Sequence, residues 1–218
     1  ASVMKLVEVI PGLDTSQETV DDIVMFAESL RKIPVVVQEC PGFLVNRLLM
    51  PYLNEAAKAL GEGAASASEI DQAVVAWGMP MGPFTLMDML GLDVCADVGT
   101  YLHSEYGERI APAPLFSMLL EAGRLGEKSG AGFYDHPGGE SEAVRVMIEQ
   151  LQIGGTEQFG TRFSVERVMY PVINEAALCV QEHIASISDI DMSMVAGTGM
   201  TYGGERVGPL AIADAIGL

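Results

Sequence analysis

Apolar residues between Pro41 and Gly61 (PGFLVNRLLMPYLNEAAKALG) recur at helical steps: Leu44, Val45, Leu48, Leu49, Tyr52, Leu53, Ala56, Ala57 and Leu60. That period makes one continuous apolar face and predicts a buried core helix. Ahead of it the pattern is of a different kind. Val3 to Ile10 (VMKLVEVI) and Ile33 to Gln38 (IPVVVQ) are short β-branched runs, read as strands, the first closed by Pro11 and Gly12. Between them Thr15 and Glu18 have capping-box spacing, and Val20, Ile23, Val24, Ala27 and Leu30 form the inner stripe of a helix. Strand, helix, strand in so short a span predicts a βαβ-like unit with parallel strands. Two strands do not make a stable sheet alone, so residues 1–40 are expected to be the trailing edge of a larger α/β domain.

Beyond Pro41 the periodicity is helical throughout. The first long helix ends near Gly61 to Gly63, Ser66 and Glu69 box the start of the next, and Gly78 stops it. Gly82 and Pro83 open a third helix, Gly91 interrupts it, and Asp93 is expected to cap a fourth that runs to about Tyr106. A shorter helix, Leu115 to Ala122, precedes the Gly-rich LGEKSGAGFYDH. Residues 136–142 read as a polar linker, and a connecting helix around Glu142 to Leu151 leads to a further helical stretch at Val165.

That last stretch repeats the first. Arg47 to Ala76 aligns on Arg167 to Ala196 without a gap, with 14 of 30 positions identical, where composition alone gives about two. The shared set includes Arg47/Arg167, Asn54/Asn174, Glu55/Glu175, Glu62/Glu182 and Asp71/Asp191. After an insertion the match resumes, Gly82, Pro83, Asp88, Gly91 and Leu92 answering Gly208, Pro209, Asp214, Gly217 and Leu218. The chain is therefore expected to hold a duplicated helical module, its copies packed about a pseudo-two-fold axis, with the second cut short. The domain reading is 1–40, 41–135, a linker over 136–164, and 165–218. The whole chain is expected to be a fragment of something longer.

Charge narrows the function classes. Thirty acidic against twelve basic residues leave a net charge of −18, which opposes binding to nucleic acid or to an anionic membrane surface. No run reaches the roughly 18 apolar residues of a membrane helix. Cys40, Cys95 and Cys179 are too few and too scattered for a disulfide framework or a metal site, and read as free thiols of a cytoplasmic protein. His103, His136 and His183 share no spacing and read as surface residues. GEKSGAG (126–132) lacks the spacing of a phosphate loop and follows a helix instead of joining strand to helix. The methionines, Met79, Met81, Met87 and Met89 among them, are expected to fill core gaps.

Four blocks in order carry a resemblance: VMKLVEVI, PGFLVNRLL from Pro41, GMPMGPFTLMDMLGLD from Gly78 and GEKSGAGFY from Gly126. Together they resemble the 3-hydroxyacyl-CoA dehydrogenase family, in one register over residues 1–135 and again in the second copy. The resemblance implies a mainly α fold. In it a duplicated 6-phosphogluconate-dehydrogenase-like C-terminal helical domain follows a strand-helix-strand remnant of a Rossmann domain. It further implies hydride transfer from the 3-hydroxyl carbon of an acyl-CoA to NAD in fatty acid β-oxidation.

By the same resemblance Glu8 matches the carboxylate that orients the family's catalytic histidine and stabilises its charged form. Asn46 matches the amide that hydrogen-bonds the substrate, and Lys128 a lysine that touches the cofactor. The second copy has Glu166 where the first has Asn46, and reads as a structural partner. The family's histidine, in a His-Phe-Phe-Asn-Pro motif, and its Gly-rich NAD fingerprint do not occur in these residues. The fragment alone is therefore expected to be inactive and Glu8 to lack a partner. The expected partners are an acyl-CoA, the Rossmann domain and the repeat itself. Two rival readings are a non-catalytic helical assembly module and a related β-hydroxyacid or sugar-nucleotide dehydrogenase.

Overall fold

The computed structural model describes residues 4–153 and 163–218. Strand β1 (Leu6–Val9), helix α1 (Gln17–Ser29) and strand β2 (Ile33–Val36) form the expected unit, with β1 and β2 parallel and Glu8 level with Val35. Both strands are shorter than the apolar runs that announced them, and Val3 lies outside the described residues. The cap of α1 also differs from expectation. Ser16, not Thr15, accepts from the Thr19 amide at 3.2 Å, while the Thr15 hydroxyl accepts from Gly12 N–H at 3.0 Å. Of the predicted inner stripe, Val20 and Ala27 are buried, whereas Ile23 and Leu30 are exposed together with Phe26. A two-stranded sheet is too narrow to cover a whole helix face.

Helices α2 (Val45–Gly61), α3 (Ala67–Trp77), α4 (Pro83–Leu90) and α5 (Leu92–Tyr106) follow at the predicted breaks. Leu44, Leu48, Tyr52, Leu53, Ala56, Ala57 and Leu60 are all buried, as the period at α2 required. Ser66 and Glu69 make the reciprocal capping box: Ser66 N–H donates to Glu69 at 2.8 Å, and Glu69 N–H to the Ser66 hydroxyl at 3.3 Å. Asp93 is not the cap of α5. Gly91 occupies that position and Asp93 stands in the first turn, accepting from Val94 N–H at 2.9 Å. Then come α6 (Pro114–Glu121), α7 (Glu142–Ile153), α8 (Val165–Gln181), α9 (Ile187–Thr198) and α10 (Pro209–Ile216). Met79 and Met87 fill core space as expected, but Met89 is exposed.

The chain divides into two compact units. One comprises Ala1–Leu48, Gly78–Pro80 and Val172–Leu218; the other comprises Leu49–Trp77 and Met81–Pro171. In the first, α9 packs on both strands, and Gly197 is close enough to Leu6 and Val45 that an added Cβ would lie 3.0 Å and 3.2 Å from them. In the second, α3 to α7 pack in sequence order around Phe84, Phe116 and Phe133.

Repeat-related residues do the same work in each unit. Asp71 accepts from Phe84 and Thr85 N–H at 2.9 and 3.1 Å, capping α4; Asp191 accepts from Leu210 and Ala211 N–H at 2.8 and 3.0 Å, capping α10. Both caps close over a glycine, Gly82 and Gly208, where a Cβ would fall within 2.5 Å of the aspartate. In the first unit Arg47, fully buried, donates to Glu175 at 2.7 Å and meets Glu182 at 2.8 Å. In the second, Arg167 meets Glu55 at 2.8 Å and Glu62 at 2.7 Å.

Candidate functional site

Glu8 sits on β1 and is half-buried. It has partners, contrary to the expectation from sequence: one carboxylate oxygen accepts from Leu44 N–H at 2.8 Å, the other from Val45 N–H at 3.2 Å. These are orphan donors at the start of α2, which no intrahelical carbonyl can satisfy. A carboxylate there also meets the positive end of the helix dipole. The β1 side chain thereby fixes where α2 begins, and Asn46 is the next residue along. Asn46 is exposed in the first turn. Two of the three predicted site residues, Glu8 and Asn46, are thus brought to one place in one unit.

The turn that delivers α2 to Glu8 is left-handed at two successive residues, Gly42 (φ 80°) and Phe43 (φ 54°). Glycine adopts this without strain; for phenylalanine it costs about 1–2 kcal/mol. Phe43 N–H donates to the Cys40 carbonyl at 3.0 Å, and the Cys40 thiol donates to the Phe43 carbonyl at 3.2 Å. Behind the turn lies the Arg47 guanidinium. Burial works against its charge, but hydrogen bonds to Glu182 and Glu175 outweigh that and hold its pKa above the ordinary arginine value.

Lys128 belongs to the other unit, in a one-turn 3-10 helix (Glu127–Ser129) between Gly126 and Gly130. It is paired with Asp93, with both side chains half-exposed, 45% and 43%. The contact passes over Gly91, where a Cβ would lie 2.8 Å from the lysine nitrogen. The ammonium hydrogen bond holds the Asp93 carboxyl below the usual carboxylate range. Lys128 is therefore a fixed, reachable cation beside the start of α5, suited to an anionic group.

The Gly-rich turn is held by a residue that sequence reasoning passed over. Asp88, 1% exposed, accepts from Phe133 N–H at 2.8 Å and Tyr134 N–H at 3.0 Å, and from His136 Nε2 at 2.8 Å. His136 is thus not a free surface histidine. Gly126 and Gly132 crowd Asp88, where any Cβ would come within 2.3 Å and 2.0 Å of its atoms. Tyr134 also donates its hydroxyl to Asp71 at 2.9 Å. The signal was present in the chain: a carboxylate inside the otherwise apolar PFTLMDML has to be buried, so it needs donors. Nothing in the sequence said that they would come from 45 to 48 residues away. Among the described residues, no group of three or more His, Cys, Asp or Glu side chains could hold a metal ion, and no helix is long and apolar enough to cross a membrane.

Comparison with known proteins gives these sites a context. The family model described as 3-hydroxyacyl-CoA dehydrogenase, C-terminal domain, matches residues 42–136 and 163–218, and that of the NAD binding domain matches residues 1–40. The fatty acid oxidation complex subunit alpha of Vibrio cholerae is 38% identical over 217 residues, covering 99% of this chain and 30% of the relative. The corresponding subunit of Shewanella putrefaciens is 40% identical over 201 residues, 90% of this chain and 28% of its own length. The chain thus spans under a third of the relatives it matches. Among solved structures, 3-hydroxybutyryl-CoA dehydrogenase from Escherichia coli superposes with a TM-score of 0.80 at 27% identity, covering 99% of this chain and 61% of that one.

Proposed function

The chain belongs to the 3-hydroxyacyl-CoA dehydrogenase family, and on that premise we propose that it is part of an NAD-dependent enzyme that oxidises 3-hydroxyacyl-CoA to 3-oxoacyl-CoA in fatty acid β-oxidation. The observation that carries this reading is the clamp of Glu8 on Leu44 and Val45, which sets the predicted catalytic acid beside the predicted substrate amide. Asn46 would donate its amide to the reacting oxygen and hold it for hydride transfer. Glu8, besides fixing α2, would orient a histidine supplied from outside these residues.

The residues fit NAD at one point. Lys128 is a half-exposed cation whose present partner is a single carboxylate, and it would meet an anionic part of the cofactor. Bound NAD would accept the hydride; binding it tightly needs a dinucleotide fold, to which β1, α1 and β2 would contribute the edge. The exposed Ile23, Phe26 and Leu30 are the surface such a domain would cover. The parent is placed in the cytoplasm, with an acyl-CoA as its substrate.

The test is spectrophotometric. The 218-residue chain mixed with NADH and acetoacetyl-CoA should show no NADH oxidation. The longer gene product that contains it should, with Asn46→Ala lowering kcat at least about tenfold. Turnover by the chain alone, or an unaltered kcat in the variant, counts against the reading.

A second reading, a helical assembly module, is favoured by the repeat-related ion pairs. Arg47 with Glu175 and Glu182, and Arg167 with Glu55 and Glu62, are one interaction set with the copies exchanged. That is the pattern of an isologous interface, and the duplicated domain would use it to pack on itself.

A further inference from the structure

Phe43 is a residue whose identity the fold does not explain. The left-handed backbone at Gly42 and Phe43 is needed, because it brings Leu44 and Val45 N–H to Glu8. Everything the fold draws from position 43 is nevertheless backbone: its amide and its carbonyl, both bound to Cys40. Glycine or asparagine would supply the same groups at this φ with less strain. Nor does burial of the ring compensate, since the residue is 49% exposed.

The other non-glycine residues with positive φ make the contrast. Arg31 (φ 58°) and His183 (φ 57°) stand just past the ends of α1 and α8, where left-handed conformations are routine and a polar side chain is solvated. Phe43 stands before a helix and is aromatic. Residues held in such a state without a folding reason concentrate where a ligand is met.

We propose that Phe43 contacts the substrate, its ring forming an apolar wall beside Asn46 for the acyl chain of a 3-hydroxyacyl thioester. This rests on the reading of Asn46 given above. An oxygen held by Asn46 sits on the carbon from which the acyl chain departs, so the methylenes nearest that carbon need apolar surface close to the amide. A half-exposed ring three residues earlier provides it.

The experiment uses the full chain and two ligands, 3-oxohexanoyl-CoA and free coenzyme A, titrated by saturation-transfer NMR, with thermal melting in parallel. Wild type should prefer the acylated ligand, with saturation passing from aromatic protons to the acyl protons. Phe43→Gly should weaken 3-oxohexanoyl-CoA about fivefold and leave free coenzyme A unchanged. Its melting temperature should hold or rise by about 2–4 °C as strain is relieved. Phe43→Asn, which tolerates the same φ, should match it and guards against a glycine-specific folding fault.

Either variant retaining full affinity for the acylated ligand overturns the proposal, as does a lowered melting temperature with both ligands weakened alike. Loss of affinity in Asn46→Ala without loss in Phe43→Gly removes Phe43 and leaves the site. Unchanged affinity in Asn46→Ala, or no preference for the acylated ligand in wild type, removes the site and the proposal with it.

Discussion

Each of the three cysteines is buried, and the consequence is chemical silence. Burial pushes the Cys179 thiol up to about 12 and Cys95 to about 11, and raises Cys40 as well, although Arg47 pulls Cys40 the other way. The thiolate is the reactive form, so at pH 8 almost none is present in the folded chain. A thiol-reactive disulfide dye should therefore titrate none of the three in native buffer within minutes and all three in guanidinium chloride. A fast-reacting native thiol would mean that its surroundings open. At the same scale the sequence identified Glu8, Asn46 and Lys128 through short blocks in order, but it did not provide their partners. Glu8 reaches 36 and 37 residues along the chain and Lys128 reaches 35, beyond what any local periodicity encodes.

At the scale of elements, helix starts and stops were largely legible because they are local chemistry: Gly82–Pro83, the Ser66/Glu69 box and Gly91 all act within one turn. What was not legible is that an aspartate of one helix caps another. Asp71 of α3 accepts two backbone N–H groups of α4 as well as the Thr85 and Tyr134 hydroxyls. Asp71→Ala should therefore cost about 2–3 kcal/mol, and Asp191→Ala, which loses only two donors, about 1 kcal/mol. Burial raises both carboxyls above their ordinary 3.8, the hydrogen bonds offsetting only part of it. A folded carboxyl with a raised pKa binds a proton that the unfolded chain has released. Its contribution is greatest below the unfolded value and declines as pH rises through the folded one. Urea unfolding from pH 3.8 upward should thus show wild type losing ground to Asp71→Asn with rising pH. A difference that widens in favour of wild type toward neutrality would show the cap to be dominated by its charge.

At the scale of the whole molecule, the repeat was plain in the sequence because it is an identity count, while its purpose was hidden in the pairing. Arg47, Glu55 and Glu62 are too far apart along α2 and its end for in-helix pairing, so their recurrence as Arg167, Glu175 and Glu182 had no visible reason until each arginine was found on the other copy's glutamates. The two arginines are not equivalent. Arg47 is fully buried and Glu175 nearly so, whereas Arg167 is 24% exposed on its side chain. Removing Arg47 strands a buried carboxylate and should cost about 3–5 kcal/mol, with Glu175→Gln in the same chain restoring part of it. Removing Arg167 should cost about 1 kcal/mol. Denaturant melts giving equal losses would show that burial does not decide the matter.

Each copy also carries its own complete set of one arginine and two glutamates, which makes each self-complementary. A chain ending at Ile153 keeps Arg47, Glu55 and Glu62 and loses every partner they have in the second copy. Two such chains can supply those partners to one another, Arg47 of each to Glu55 and Glu62 of the other, as a two-fold contact requires. Sedimentation equilibrium should then find residues 1–153 dimeric at micromolar concentration. Arg47→Glu should abolish the dimer, and mixing that variant with Glu55→Arg/Glu62→Arg should restore a heterodimer. A folded, monomeric 1–153 would mean that the exchange of partners is a residue of sequence duplication alone, and that the second copy contributes something to the contact that the first copy lacks.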